Sequence, residues 1–147
     1  MLLLFSNSYE LENKEMNQSK DPAGHIKISV SDLKKSAAFY TALFGKLGFM
    51  QVLYESDCVG FKTPEGFGIW IEQAEISNYA YKFGAPGLHH FCFKAKSPKE
   101  VDDVHTFLVT RGVPIFDPPA KYPDYTEDYY AVFFADPDGV KLELAYY

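Results

Sequence analysis

Leu88-His89-His90-Phe91-Cys92-Phe93-Lys94-Ala95 alternates from His90 onward, with His90, Cys92 and Lys94 on one side of an extended chain and Phe91, Phe93 and Ala95 on the other. A period of two with aromatic residues on one face predicts a half-buried β-strand whose second face is left for polar chemistry. An earlier stretch, His25-Ile26-Lys27-Ile28-Ser29-Val30, repeats the pattern: His25, Lys27 and Ser29 share one face, and Ile26, Ile28 and Val30 share the other. Asp32 stands as far beyond His25 as Ser97 stands beyond His90, and both are good N-cap residues for the amphipathic segments that follow. The chain reads as two copies of one unit, each opening on a histidine.

In the first copy Leu33, Ala37, Tyr40, Leu43 and Phe44 make one buried helical stripe, and Gly45 and Gly48 stop the helix. Three short strands are expected over 49–55, 59–63 and 67–73, and in the last of them Gly68, Trp70 and Glu72 share a face. A linker over 74–87 leads to the second copy. There Ser97-Pro98-Lys99-Glu100 is a capping box with proline at the first helical position, and Val101, Val104 and Leu108 form the stripe. Strands are expected over 113–116, 129–135 and 140–146, with Lys141, Glu143 and Ala145 on one face. The tyrosine- and proline-bearing stretch 117–128 reads as a long loop over a site. Residues 1–22 match neither copy and form an N-terminal arm ahead of a domain over 23–147, with modules at 24–80 and 87–147.

At 147 residues the chain suits one compact domain, and 47% hydrophobic with 17% aromatic residues is the composition of a globular protein. A net charge of −6 without a basic run excludes nucleic acid and anionic membrane surfaces as natural partners. No apolar run approaches the roughly 20 residues of a membrane span. Two cysteines, Cys58 and Cys92, are too few for a disulfide framework, so a cytoplasmic location is expected.

His25 and His90 on first strands, and Glu72 and Glu143 on last strands, match by residue type, strand parity and position in the repeat. Taken singly, each histidine reads as a satisfied core or surface residue and each glutamate as a solvated strand face. Taken together under pseudo-twofold packing, the four converge into a mixed N/O donor set suited to Zn²⁺, Ni²⁺, Co²⁺, Fe²⁺ or Mn²⁺. Such a set leaves open positions for water or substrate.

The stretches His25-Ile-Lys-Ile-Ser-Val-Ser-Asp-Leu-Lys-Lys-Ser-Ala-Ala-Phe-Tyr, Gly87-Leu-His-His-Phe-Cys-Phe and Asp136-Pro-Asp-Gly-Val-Lys-Leu-Glu143 resemble those of the vicinal oxygen chelate superfamily. That superfamily includes glyoxalase I, extradiol dioxygenases, methylmalonyl-CoA epimerase and the fosfomycin and bleomycin resistance proteins. The resemblance implies an α+β fold of two βαβββ modules with pseudo-twofold symmetry, forming a curled mixed sheet around a metal-site cavity, and a homodimer. Its metal ligands fall on His25, Glu72, His90 and Glu143, a set similar to that of bacterial glyoxalase I. The implied function is a divalent-metal-dependent lyase or isomerase acting on a small oxygenated substrate, with Glu143 or Glu72 transferring a proton. Extradiol dioxygenases leave the position of Glu72 unused and carry a tyrosine where this chain has Phe133. The chain departs from glyoxalase I in having Gln73-Ala74-Glu75 after the second ligand and no arginine in Gly48-Phe49-Met50-Gln51, where glutathione's carboxylates would want a partner. The other readings are a non-catalytic, sequestering protein of the bleomycin-resistance type and a dioxygenase.

Neighbours of the four residues carry two readings each. Cys92, on the face of His90, is a further ligand or a small apolar lining residue. Lys27, Lys94 and Lys141 share the ligand faces and either bind a substrate carboxylate or extend to water. Trp70 is an apolar wall of the site or plain core packing. Tyr122, Tyr125, Tyr129 and Tyr130 line the entrance or an aromatic dimer contact. His89, opposite His90 by parity, is expected to be structural.

Overall fold

The computed structural model describes residues 22–76 and 78–147, so the arm expected over 1–22 lies, apart from Pro22, outside the described residues. The elements in chain order are β1 (His25–Val30), α1 (Leu33–Leu47), β2 (Met50–Tyr54), β3 (Cys58–Lys62), β4 (Gly68–Gln73), β5 (Phe91–Lys94), α2 (Pro98–Thr110), β6 (Ile115–Lys121), β7 (Tyr130–Ala135) and β8 (Lys141–Tyr146). Each half thus carries the order β, α, β, β, β.

Local chemistry explains the helix ends. The Asp32 carboxylate accepts from the Lys35 N–H at 3.0 Å, and Gly48 closes α1 in the left-handed region at φ 82°, donating its N–H to the Phe44 carbonyl. Ser97 Oγ accepts from the Glu100 N–H at 3.2 Å, while the Glu100 carboxylate reaches back to the Lys96 N–H at 2.6 Å. Between those ends α1 buries Leu33, Ala37, Tyr40, Leu43 and Phe44, and α2 buries Val101, Val104 and Leu108. Both stripes have the spacing expected of a helix packed on one face.

The strands form two separate four-stranded mixed sheets, ordered β1-β4-β3-β2 and β5-β8-β7-β6. In each, the first and last strands of the module run parallel, and the remaining pairs are antiparallel. This corrects the expectation of one curled sheet around a metal-site cavity. A continuous sheet would need a ladder between the two halves, yet β1 and β5 each occupy an edge, bonded only to β4 and β8. The halves are joined by packing instead. Ile69, Ile71 and Phe61 from the first sheet, Phe93, Leu142 and Leu144 from the second, and the stripes of both helices lie in one hydrophobic core. Phe44 sits at its centre, its ring 4.9 Å from that of Phe61 and 5.5 Å from that of Phe93. Because strand residues alternate, this shared core places each sheet's polar face on the side away from it.

Polar links tie the halves together at the β7–β8 turn. The buried Asp136 accepts from the Tyr40 hydroxyl at 2.8 Å and, through its other oxygen, from the N–H groups of Asp138 and Val140. Asp138 in turn accepts from the N–H and hydroxyl of Ser31. The Asp-Pro-Asp-Gly stretch is therefore a turn and an inter-module clasp at once, with Gly139 supplying the positive φ of 82°.

The second unit departs from expectation at β6, which runs to Lys121 rather than ending at Phe116. Pro118 and Pro119 argued for a loop, but β6 is an edge strand, where a missing N–H can face away from the ladder. The pairing with β7 slips on both sides of Asp117, which accommodates them. The loop over the second polar face is correspondingly shorter, spanning 122–129.

Candidate active site

On the first sheet the parallel register sets His25 beside Gly68, Lys27 beside Trp70 and Ser29 beside Glu72, all on the polar face. Trp70 stacks against His25 with ring centroids 6.0 Å apart, over a floor of two glycines. A Cβ on Gly68 would come within 2.6 Å of the indole, and one on Gly60 within 3.5 Å. Glu72, half-buried, pairs with the exposed Lys27 at 2.8 Å, and this pairing raises the Lys27 ammonium pKa. Lys27, one of the three lysines read as binding a substrate carboxylate or extending to water, is paired with Glu72.

On the second sheet Cys92 and Phe133 flank Glu143 at the same level of the ladder. The Glu143 side chain is 3% exposed, yet no lysine or arginine pairs with it among the described residues. Its Oε2 lies 3.0 Å from His90 Nε2, and its Oε1 accepts from the Tyr129 hydroxyl at 2.7 Å. His90 Nδ1 is 2.7 Å from His89 Nδ1. His89, His90 and Glu143 thus stand in one hydrogen-bonded row that ends on the carboxylate. Burial, followed by the hydrogen bond to Glu143, holds the Tyr129 phenol far above its ordinary range. Tyr129 therefore remains a hydroxyl donor.

Cys92 packs with Ala131, Phe133 and Ala145, and burial, reinforced by the Glu143 charge, pushes its thiol up to about 12. That environment suits the small lining residue better than a thiolate. Lys94 sets its ammonium 4.4 Å from the Tyr147 ring, which stacks on Tyr129 at 5.0 Å. Lys94 therefore supports the aromatic group behind Glu143. His89, His90, Tyr129, Phe133, Lys141 and Glu143 border an open cavity of about 390 Å³. His89 was expected on the opposite side from His90. The strand begins only at Phe91, so alternation does not govern the two histidines before it, and both reach the same cavity.

A divalent ion was expected between His25, Glu72, His90 and Glu143. His90 Nε2 and Glu143 Oε2, 3.0 Å apart, have the spacing of two adjacent corners of a coordination shell with bonds of about 2.1 Å. His25 and Glu72 do not join them, and among the described residues no three His, Cys, Asp or Glu side chains gather as a metal site. One chain alone does not fit the four-ligand centre. The cause is the packing already described: the two polar faces lie on the far sides of their sheets from the common core.

Residues 23–144 match the family model of the Glyoxalase/Bleomycin resistance protein/Dioxygenase superfamily. The chain is 28% identical over 121 residues to the uncharacterized protein YqjT of Bacillus subtilis, covering 82% of this chain and 94% of that one. A solved structure of a provisionally named glyoxalase from Bacillus halodurans superposes with a TM-score of 0.76 at 28% identity, over 87% of this chain and 97% of its own. Lactoylglutathione lyase from Agrobacterium tumefaciens superposes with a TM-score of 0.61 at 26% identity, over 83% and 90%. With the family's pattern running through nearly all of both modules, the chain belongs to the Glyoxalase/Bleomycin resistance protein/Dioxygenase superfamily.

Proposed function

We propose that the chain is a lyase or isomerase of the glyoxalase type, moving a proton on a small oxygenated substrate with Glu143 as the base. The observation that carries this reading is a buried carboxylate with no lysine or arginine partner among the described residues, open to a cavity and held by a phenol and an imidazole. A substrate with a C–H next to a carbonyl loses that proton to Glu143: the C–H bond breaks, an O–H bond forms on the carboxyl, and the electron pair moves into an enolate, which is an enediolate where the carbon also bears a hydroxyl. The proton then returns to a neighbouring position. Tyr129 and His90 fix the carboxylate's orientation, and Tyr147, stacked on Tyr129, fixes the phenol. The likeness to a lactoylglutathione lyase supports this chemistry.

The divalent ion belongs to this reading only in a two-chain form, with His25 and Glu72 from one copy and His90 and Glu143 from a second. Mixing a His25→Ala chain with a His90→Ala chain should then restore metal uptake that neither shows alone. For the reaction class, the test is deuterium uptake from D₂O by α-hydroxycarbonyl, thiol-adduct and acyl-CoA compounds. Uptake at the carbon beside the carbonyl is expected. Tight binding without uptake across the panel would instead support sequestration.

A further inference from the structure

Lys141 opens β8 two residues before Glu143 and on the same face, and its surroundings are unusual for a lysine. Its ammonium lies 4.4 Å from the centroid of the Phe133 ring, 4.9 Å from that of Phe83 and 6.0 Å from that of Phe116. Phe83 is itself packed on His89 at 4.6 Å, which places this aromatic group against the wall of the cavity holding Glu143. Ring faces attract a cation and hold it in place without neutralising it. Neutralisation would need an acid. The chain has 20 Asp and Glu against 14 Lys and Arg, yet the ion pairs among the described residues are Lys27–Glu72, His90–Glu143 and Lys99–Asp103, and none includes Lys141. A half-buried, uncompensated cation, fixed by aromatic walls in the mouth of a cavity, is the arrangement of a site awaiting an anion.

We infer that Lys141 is the counter-ion for a carboxylate on the substrate, so that the cavity takes short-chain 2-oxo or 2-hydroxy acids. The inference rests on Glu143 being the proton-transfer base. It also resolves a difficulty in that reading, because an anionic substrate would be repelled by an ionised Glu143 unless a cation lay beside it. Residues two apart on a strand have Cα atoms about 6.6–6.8 Å from one another, so an acid with its carboxylate at Lys141 presents toward Glu143 the C3–H of a 2-oxo acid or the C2–H of a 2-hydroxy acid.

The test compares 2-oxobutanoate with the uncharged 2-oxobutanamide, by titration calorimetry and by deuterium uptake, on the wild-type chain, Lys141→Met and Lys141→Arg. The wild type should bind the acid about tenfold tighter than the amide. That preference should vanish in Lys141→Met, which keeps the apolar stem, and survive in Lys141→Arg, with the circular dichroism of both variants unchanged. Equal binding of acid and amide by the wild type, no binding of the acid at millimolar concentration, or a preference that persists in Lys141→Met would overturn the inference. Failure of the two ideas is separable. Deuterium uptake without acid preference leaves Glu143 as base and removes Lys141, whereas acid preference without uptake leaves Lys141 and removes the base.

Discussion

Glu72 and Glu143 occupy the same position in two copies of one module, and their surroundings could hardly differ more. Glu72 is 37% exposed and paired with an exposed lysine, an interaction of little energetic weight in water. Glu143 is 3% exposed, pairs with no lysine or arginine, and is held by a phenol and an imidazole. The difference comes from the adjoining strand. Beside Glu72 the ladder places Cys58, and the next residue facing the same way is Gly60. Beside Glu143 it places Phe133, over which Tyr122 and His90 pack edge to face. A carboxylate's character here is set by what its neighbour strand carries.

The comparison is broken or sharpened most strongly at those two neighbours. Phe133→Ala should cost about 3–5 kcal/mol, as expected for removing a buried aromatic side chain, and Cys58→Ala should cost about 1 kcal/mol or less, both read by urea unfolding. Similar losses would mean that the two faces are packed alike after all. Next in size is the pair of carboxylate partners. Tyr129→Phe should lose about 1–3 kcal/mol, because it takes a donor from a buried acceptor. Lys27→Met should leave the melting temperature unchanged, because Glu72 keeps its water.

Most of the local structure could be read in the sequence, and the long-range arrangement could not. Asp32, Gly48 and Ser97 carry their capping roles in their own side chains and neighbours, so pattern reading finds them. Strand parity likewise grouped Lys27, Trp70 and Glu72 on one face, because alternation is a property of the chain itself. What failed depends on partners far along the chain. Whether β1 and β5 share a ladder is decided by the packing of two modules on one core, and nothing within either strand records it. The edge position of β6, which lets Pro118 and Pro119 sit in a strand, is hidden for the same reason. At the site, Tyr129 was one of four tyrosines given two possible roles, and its bond to Glu143 appears only once β7 lies beside β8. Phe83 comes from the linker and offered no periodic signal at all.

The smallest effect concerns Cys92. With its thiol pushed up to about 12, the folded protein should react slowly with iodoacetamide at neutral pH, the rate climbing only as the pH nears that value. Because the folded-state value is raised, ionisation is disfavoured in the fold, and alkaline pH should favour unfolding rather than a reactive native thiolate. Fast alkylation at pH 7 would show that the second face is more open than Glu143 requires.

The most direct measurement is the rate of solvent deuterium exchange into the substrate carbon by Glu143→Gln and Glu72→Gln chains, each checked for native circular dichroism. Glu143→Gln should slow exchange about 10²–10⁴-fold, the range of a lost general base, with a much smaller loss for Glu72→Gln. Exchange at the wild-type rate in Glu143→Gln, or equal losses in the two variants, would contradict the assignment of the proton-transfer base to the second module.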